Sequence, residues 1–284
     1  MTHCTEAPSA FGEGVGEEGM PSGLVVFREG KVGKAPIGYP SPSNIILIIM
    51  TDLDPADARG LVEAGYDHVA SPYLAFSLKH AVKSGTPRHA YLDQLLSNLP
   101  TSPNDINDIH ILELGCGAGI LCTRTLLERG HTVTAVDISS AQIDLAKANL
   151  QPFLTNTTSP RLTLLNQDMT SLSFPPSSFS AIVAFYSLFH LPKPDQHTTI
   201  RNIVRWLKPG GWFLCNLEIN DSDTVRDDWM GIRMFSTGFG VEGNTEMLRT
   251  EGAGFKIVLD KVVVETIGGM EERFQWVLAV KEGP

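Results

Sequence analysis

The chain has 284 residues, of which 42% are hydrophobic, enough to bury the core of one large domain. Its 32 acidic residues outnumber its 22 basic ones, and the formal net charge of -10, with no cluster of Lys and Arg, argues against a nucleic-acid or anionic-membrane partner. The four cysteines form no C-x-x-C pair, which argues against a zinc site or a disulfide framework.

The first 50 residues are predicted to be an irregular or disordered N-terminal extension. Residues 1–44 are rich in Gly, Pro and Ser, which disfavours a stable helix. The apolar run at 45–50 is too short for a membrane span and too far from the N-terminus for an ordinary signal peptide, so we expect a cytoplasmic protein. The run fits a short strand or a tether. Alternatively, the functional chain begins at Met50 and residues 1–49 are dispensable.

Residues 51–284 are predicted to form a single folded domain. Its first part, residues 51–100, is predicted to be a helical lid. Residues 51–73 open with an Asp and Pro helix-start signal, and residues 88–99 place Leu92, Leu95 and Leu99 on one helical face. We expect these helices to cover a core at 108–217.

In that core, short β-rich runs alternate with helical stretches. The predicted strands are 109–114, 132–136, 162–166, 181–185 and 211–217, and the predicted helices are 120–129, 141–150 and 196–207. This alternation requires crossover connections and indicates a doubly wound α/β fold with a mostly parallel sheet. The final strands, 256–265 and 273–280, are joined too closely for a crossover helix, so we expect a terminal antiparallel hairpin at 256–280.

A glycine-rich turn, ELGCGAG at 113–119, follows the first core strand. The first strand-to-helix turn of such a sheet is the usual ligand cradle, where a side chain would keep the backbone away from the ligand. Its glycines are spaced G-x-G-x-G, whereas the dinucleotide fingerprint is G-x-G-x-x-G, and no GxxxxGK[ST] sequence occurs. The spacing therefore argues against a nicotinamide cofactor and a nucleotide hydrolase. For the glycines alone, simple chain reversal remains an alternative.

Asp137 ends the β-rich run HTVTAVD, directly after the second predicted strand and eighteen residues after Gly119. A carboxylate at a strand's carboxyl end can accept both hydrogen bonds from a ribose diol. Because Ser139 and Ser140 follow it, a helix cap or an exposed loop acid is the alternative interpretation.

The segments ILELGCGAG, VTAVDIS, LLNQDMTSLSF, AIVAFYSLFHL and WLKPGGWFL resemble, in order and spacing, the class I S-adenosylmethionine-dependent methyltransferases. The resemblance runs from about residue 52 to 281 and is closest to small-molecule methyltransferases of bacteria and fungi. It implies a Rossmann-like methyltransferase fold with seven strands, S-adenosyl-L-methionine as cofactor, and a small-molecule methyl acceptor. No metal is expected.

The resemblance also implies roles for individual residues. Glu113, Gly115, Cys116, Gly117 and Gly119 would lie against the amino-acid end of the cofactor. Asp137 would hold the ribose hydroxyls, with Gln142 a weaker candidate for the ribose edge. Around the adenine, Ile138 would pack on the ring, Asp168 would bind the amino group and the Met169 backbone N–H would reach a ring nitrogen.

Three aromatic residues complete this implied site. Phe185 would lie below the sulfonium, because aromatic faces stabilise positive charge. Tyr66 and Tyr73 resemble lid tyrosines that close over the methionine part, with ordinary helix packing as the alternative.

His190 is the candidate catalytic residue, since it follows the fourth strand and an imidazole suits a general base near neutral pH. A purely structural role is the alternative. The lid insertion at 218–243 contains Trp229, Met234 and Phe235 and is predicted to be either a mobile lid for a flat, apolar or aromatic acceptor or a flap packed on the core.

The expected reaction is methyl transfer to an O, N or S atom of a small molecule. There are three rival interpretations. The first is an enzyme of the same fold that binds the cofactor without methylating, such as a pericyclic catalyst. The second is a noncatalytic binding protein, and the third is a nicotinamide oxidoreductase.

Overall fold

The computed structural model describes residues 47–48, 53–80, 85–100, 109–155 and 160–283. The predicted extension at 1–50 lies outside the described residues except for Leu47–Ile48, and the predicted loop at 100–108 lies outside them except for Pro100.

Ten strands are present in the described part of the chain. They are β1 (Leu47–Ile48), β2 (His110–Leu114), β3 (Thr132–Asp137), β4 (Leu162–Asn166), β5 (Phe179–Ala184), β6 (Leu207–Glu218), β7 (Asp221–Trp229), β8 (Ile232–Phe239), β9 (Phe255–Ile267) and β10 (Met270–Lys281). The α-helices are α1 (Pro55–His80), α2 (Pro87–Ser97), α3 (Thr123–Glu128), α4 (Ser140–Asn149), α5 (Gln151–Leu154), α6 (Lys193–Trp206) and α7 (Gly240–Thr250).

Seven strands form the main sheet, in the order β4-β3-β2-β5-β6-β10-β9. The first five pair in parallel, whereas β10 runs antiparallel to both β6 and β9. The predicted mostly parallel sheet with a terminal hairpin is confirmed. Because strand order reverses between β2 and β5, the crevice beyond their carboxyl ends is where this architecture binds ligands.

Alternating side chains of the central strand β2 enter two different cores. Ile111 packs with Leu95 of α2 and Ile143 of α4 on one face of the sheet, whereas Leu112 packs with Ile203 of α6 on the other. A strand buried on both faces reads as a nearly continuous apolar run, which explains why HILEL predicts β2 so well.

The segment predicted as an apolar lid is a β-hairpin, β7 and β8, and β1 pairs with the outer edge of β7. The hairpin packs on α1 through a separate apolar cluster that includes Val62, Val225, Met234 and Phe235. Helix α1 therefore packs on this hairpin and on α4.

Candidate active site

Every residue that the sequence nominates for the site lines one cavity beyond the carboxyl ends of β2, β3 and β5. This cavity encloses about 1010 Å³, including its open mouth. The nominated residues that line it are Tyr66, Tyr73, Glu113, Gly115, Cys116, Gly117, Gly119, Asp137, Ile138, Gln142, Asp168, Met169, Phe185 and His190. The volume matches a pocket for a small ligand.

The glycine turn requires its glycines for two different reasons. Gly115 has φ +80°, and a Cβ there would lie 2.4 Å from the Ser187 Cβ, so the first glycine is required by contacts within the protein. Gly117, at φ +53°, faces the cavity, and the nearest atom to a Cβ there is Gln142 Oε1 at 3.7 Å. The expectation that glycine allows a ligand to approach the backbone therefore applies best to Gly117.

The turn is fixed to the end of β3. The backbone N–H groups of Gly115 and Cys116 both donate to the Val136 carbonyl, at 2.8 and 2.9 Å. The Cys116 thiol is buried, which raises its pKa well above the usual value, so this cysteine is an uncharged wall of the cavity.

Asp137 joins the turn to the start of α4. Its Oδ2 accepts from the Gly117 N–H at 2.8 Å and its Oδ1 accepts from the Ser139 N–H at 3.0 Å. Burial raises the pKa of this carboxyl to about 6, although both backbone hydrogen bonds oppose the shift. Each oxygen keeps a second acceptor direction, so the carboxylate both orders the turn and can accept from a ligand.

Glu113 lies beneath the turn as a buried carboxyl group. Its Oε2 accepts from the Thr123 hydroxyl at 2.6 Å. Burial raises the pKa of Glu113 to about 7, more than the hydrogen bond from Thr123 lowers it. A group poised at this pKa gains its charge readily when a cation enters the cavity.

Gln142 has a buried amide whose nitrogen and oxygen both lack hydrogen-bond partners. Its backbone N–H, by contrast, is capped by Ser139 Oγ at 3.1 Å. Unpaired buried polar atoms are costly and rare, and Gln142 is one of the residues that line the cavity. Ligand hydroxyl groups would satisfy both amide atoms.

Asp168 occupies one end of the cavity, beside Ile138 and Met169, and is contacted by α1. Its Oδ1 accepts from the Thr170 N–H at 2.8 Å, and its Oδ2 lies 2.9 Å from Arg59 Nε. Arg59 also pairs with Asp195 through its Nη1. The Arg59 ion pairs therefore tie α1 across this end of the cavity, an arrangement that nothing in the sequence pattern indicated.

Tyr66 and Tyr73 belong to α1 and form an aromatic cluster with Trp229 of the hairpin. The rings of Tyr66 and Tyr73 meet edge to face at 5.5 Å, and the Trp229 ring lies 5.3 Å and 5.6 Å from them. Burial raises the pKa of both phenols, so they remain uncharged. They line the cavity and also pack on their neighbours, so the lid and packing interpretations describe the same contacts.

His190 lies in a short turn, Leu188–His190, and bridges α1 and β8. Its Nδ1 is 2.6 Å from the Phe235 carbonyl oxygen, which can only accept, so Nδ1 carries the proton. Nε2 then accepts from the Tyr66 hydroxyl at 3.0 Å. Burial lowers the pKa of His190 to about 4, so the imidazole is neutral at physiological pH and its Nε2 carries no proton.

Phe185 and Tyr186 follow β5 directly and line the centre of the cavity. Phe185 packs on Trp276 with ring centres 5.5 Å apart. Tyr186, which the sequence did not nominate, has φ +53°; its N–H donates to Asn216 Oδ1 at 2.7 Å and its hydroxyl to Glu265 Oε2 at 2.6 Å. A strained residue held by two hydrogen bonds at a pocket wall indicates a functional position.

The apolar residues of the insertion do not line this cavity. Trp229, Met234 and Phe235 pack on α1, and Phe239 packs on the core beside α6 and α7. The flap interpretation therefore describes the insertion, and its effect on the site passes through Tyr66 and His190.

Within the described residues, no three His, Cys, Asp or Glu side chains come together in a way that could hold a metal ion. None of the described helices combines the length and the hydropathy that a membrane span requires.

Comparison with known families matches residues 111–211, from β2 into β6, to the family described as "Methyltransferase domain". The similarity covers the glycine turn, Asp137, Asp168 and His190.

Named relatives are also methyltransferases. The chain is 33% identical over 102 residues to a ubiquinone biosynthesis O-methyltransferase of Coxiella burnetii, covering 36% of this chain and 40% of that protein. It is 28% identical over 167 residues to the 27-O-demethylrifamycin SV methyltransferase of Amycolatopsis mediterranei, covering 59% and 53%. The chain thus spans about half or less of the length of these relatives.

Among solved structures, the fold is similar to the 1,6-didemethyltoxoflavin-N1-methyltransferase of Burkholderia thailandensis. The TM-score is 0.62 at 18% identity, covering 84% of this chain and 95% of that one, and that crystal contains S-adenosylhomocysteine.

Proposed function

From the membership of this chain in the class I S-adenosylmethionine-dependent methyltransferases, we propose that it transfers a methyl group from S-adenosylmethionine to an O, N or S atom of a small molecule. One observation carries the proposal. A glycine turn with an open Gly117, the Asp137 carboxylate and the unpaired Gln142 amide meet in one cavity at the point where strand order reverses.

The residues present fit the cofactor. Asp137 and Gln142 would bind the ribose hydroxyls. Ile138 would pack on the adenine ring, the Met169 backbone N–H would donate to a ring nitrogen, and the Asp168 carboxylate would accept from the adenine amino group. Gly117 would let the backbone approach the methionine part, and Glu113, charged once a cation is bound, would favour its positive groups. The two unpaired atoms of Gln142 support this fit most directly.

When bound, S-adenosylmethionine supplies a methyl group that its sulfonium has already activated for direct displacement. The residues of the chain contribute alignment and the exclusion of water. Phe185 and Tyr186 form the floor beside the sheet, and α1 with Tyr66 and Tyr73 forms the cover, held by Arg59 at one end and by Trp229 of the hairpin above. An acceptor placed between them is held with few water molecules around it.

Tyr66 and His190 provide a route for the acceptor's proton. The Tyr66 hydroxyl donates to His190 Nε2, so it can receive a proton from an acceptor as it passes its own to the imidazole. The protonated imidazole remains held by the Phe235 carbonyl through Nδ1.

The acceptor we propose is small and apolar or aromatic. The lining of the cavity also includes Leu74, Leu121 and Leu191, with Ser77 and Tyr73 as polar groups. Such a lining favours flat, apolar molecules with one or two hydrogen-bonding groups.

The test is transfer of an isotopically labelled methyl group. The protein is incubated with S-adenosylmethionine carrying a trideuterated methyl group and with a panel of aromatic phenols, amines and thiols, and products are found by their mass shift. Labelled product from the wild type but not from D137A is expected. S-adenosylhomocysteine binding without any labelled product would contradict methyl transfer and leave only the cofactor site.

A further inference from the structure

Arg59 lies at the boundary between two cavities. It lines the cavity of the candidate active site, and it also lines a second cavity of about 620 Å³, open mouth included, whose lining contains the polar residues Asn166 and Gln167. Ile138 and Asp168 line both cavities as well. The three shared residues therefore form the wall between the cavities.

Two ion pairs hold the Arg59 side chain in this wall. Its Nε lies 2.9 Å from Asp168 Oδ2, and its Nη1 pairs with Asp195 of α6. Each of the three side chains exposes only about a quarter of its surface. A guanidinium bound through two different nitrogens has a fixed orientation. Asp195 is not among the described residues that line either cavity, so it anchors Arg59 from outside.

Helix α1 is also anchored at points other than Arg59. Asp67 Oδ1 accepts from the Ser139 hydroxyl at 2.6 Å and from the Ala141 N–H at 3.0 Å, which joins α1 to the start of α4. The Tyr66 hydroxyl joins α1 to the segment after β5. Loss of the Arg59 side chain should therefore open the wall locally and leave the helix in place.

The adenine end of the proposed cofactor site lies against this wall. Under the proposed function, the 6-amino group of the adenine donates to Asp168, whose Oδ2 is also held by Arg59. A larger group on that nitrogen would have to enter the space that Arg59 and Asp168 fill. The second cavity, beyond the wall, has room for such a group, so the wall itself is what excludes it.

We propose that Arg59 is a specificity-determining residue, which closes the adenine end of the cavity and excludes adenosine derivatives substituted on the 6-amino group. The assignment rests on the proposed function, because it takes the position of the adenine from there. Exclusion of this kind acts against larger ligands and requires no added affinity for adenine itself. Arg59 thus determines which adenosine derivatives the cavity admits.

The experiment compares two ligands that differ only at the 6-amino nitrogen. One is S-adenosylhomocysteine, and the other, the benzyl analogue, carries a benzyl group on that nitrogen. Calorimetric titrations give both dissociation constants for each protein, and their ratio measures the discrimination. The wild type should bind the benzyl analogue at least about 100-fold more weakly than S-adenosylhomocysteine, whereas R59A should narrow the ratio to about 10-fold or less.

Three further variants separate closure of the wall from a general loosening of α1, which would weaken both ligands alike and leave the ratio unchanged. R59K retains the charge without the forked guanidinium, so it should give an intermediate ratio. D195N removes only the outer anchor and should narrow the ratio about 5- to 10-fold. The control R129A removes an equal charge from an exposed ion pair with Asp93 and should keep the wild-type ratio.

Two results would overturn the assignment. One is a wild type that binds both ligands equally well, because the wall would then exclude nothing. The other is the wild-type ratio in folded R59A, or in D195N if R59A does not fold. Failure of the proposed function looks different, because the wild type would then bind neither ligand.

Discussion

The Tyr66 hydroxyl donates to His190 Nε2 across 3.0 Å, and this bond joins the covering helix α1 to the segment after β5. Nδ1 of the same ring donates to the Phe235 carbonyl of β8. The neutral imidazole therefore links α1, β8 and the segment after β5. The histidine nominated as a base is therefore also a structural link, and the two roles require different tests.

His190 should not titrate near neutral pH. Because burial lowers its pKa to about 4, the ring stays unprotonated well below its usual range. With saturating cofactor and acceptor, His190 should add no step to the pH profile of turnover between pH 7.5 and pH 5.5, a range in which Glu113 and Asp137, with pKa values of about 7 and about 6, do titrate. A loss of turnover centred near pH 6.5 that disappears in a His190 variant would show that the imidazole is more exposed than the structure indicates.

Replacing His190 should separate turnover from cofactor binding. In H190A we expect turnover to fall about 10²- to 10⁴-fold, because the acceptor's proton loses its destination, while S-adenosylhomocysteine affinity stays within about threefold. The matched control is H197A, whose imidazole pairs with Glu251 outside the cavity and which should retain turnover. Near-normal turnover in H190A would leave His190 a purely structural role.

Substitution of Gly115 and of Gly117 by alanine should have different effects on stability and on ligand affinity. G115A places a Cβ 2.4 Å from Ser187 and should destabilise the fold by more than about 2 kcal/mol. G117A meets no close atom, so it should cost only about 1 kcal/mol for its positive φ while weakening S-adenosylhomocysteine binding, because the methyl group enters the cavity.

G210A is the matched control, since Gly210 has φ +75° and an added Cβ there would meet no atom within 4 Å. Melting curves and calorimetric titrations report the two effects separately. Unchanged affinity in folded G117A would mean that the ligand does not approach this part of the turn.

The raised pKa of Glu113 predicts how stability depends on pH. The folded chain holds this proton to about pH 7 whereas the unfolded chain releases it near pH 4.5, so the contribution of Glu113 to stability falls as pH rises between those values. E113Q removes this dependence. Relative to wild type, ligand-free E113Q should therefore gain about 3 kcal/mol of stability between pH 4 and pH 8, measured by urea unfolding. A constant difference between the two proteins across that range would contradict the raised pKa.

Much of the main sheet and of the cofactor side of the site could be predicted because the signals are local. Strand β2 reads as a buried apolar run, and Gly117 and Asp137 stand at strand ends where the architecture alone brings them together. The apolar spacing of residues 88–99 likewise predicts α2, although it does not reveal that Arg88 enters the cavity.

The rest depends on tertiary contacts. Strand β7, DSDTVRDDW, is acidic and has one buried residue, Val225, so its pairing with β8 and packing on α1 leave little trace in the sequence. Helix α7 begins with Gly240 and contains Gly243, both poor helix formers, and was not predicted. Arg59 and Arg88 become part of the site only because α1 and α2 cross it.

Calorimetric titration of S-adenosylhomocysteine into wild-type protein and D137A tests the central claim most directly, with D144A as control because Asp144 is exposed on α4, the helix that follows Asp137. Wild type and D144A should bind S-adenosylhomocysteine and not NAD, whereas D137A should lose at least about 100-fold in affinity. D137N and circular dichroism check that the turn, which Asp137 also supports, remains folded. Equal affinity of folded D137A and wild type, or preferential binding of NAD, would contradict the assigned cofactor site.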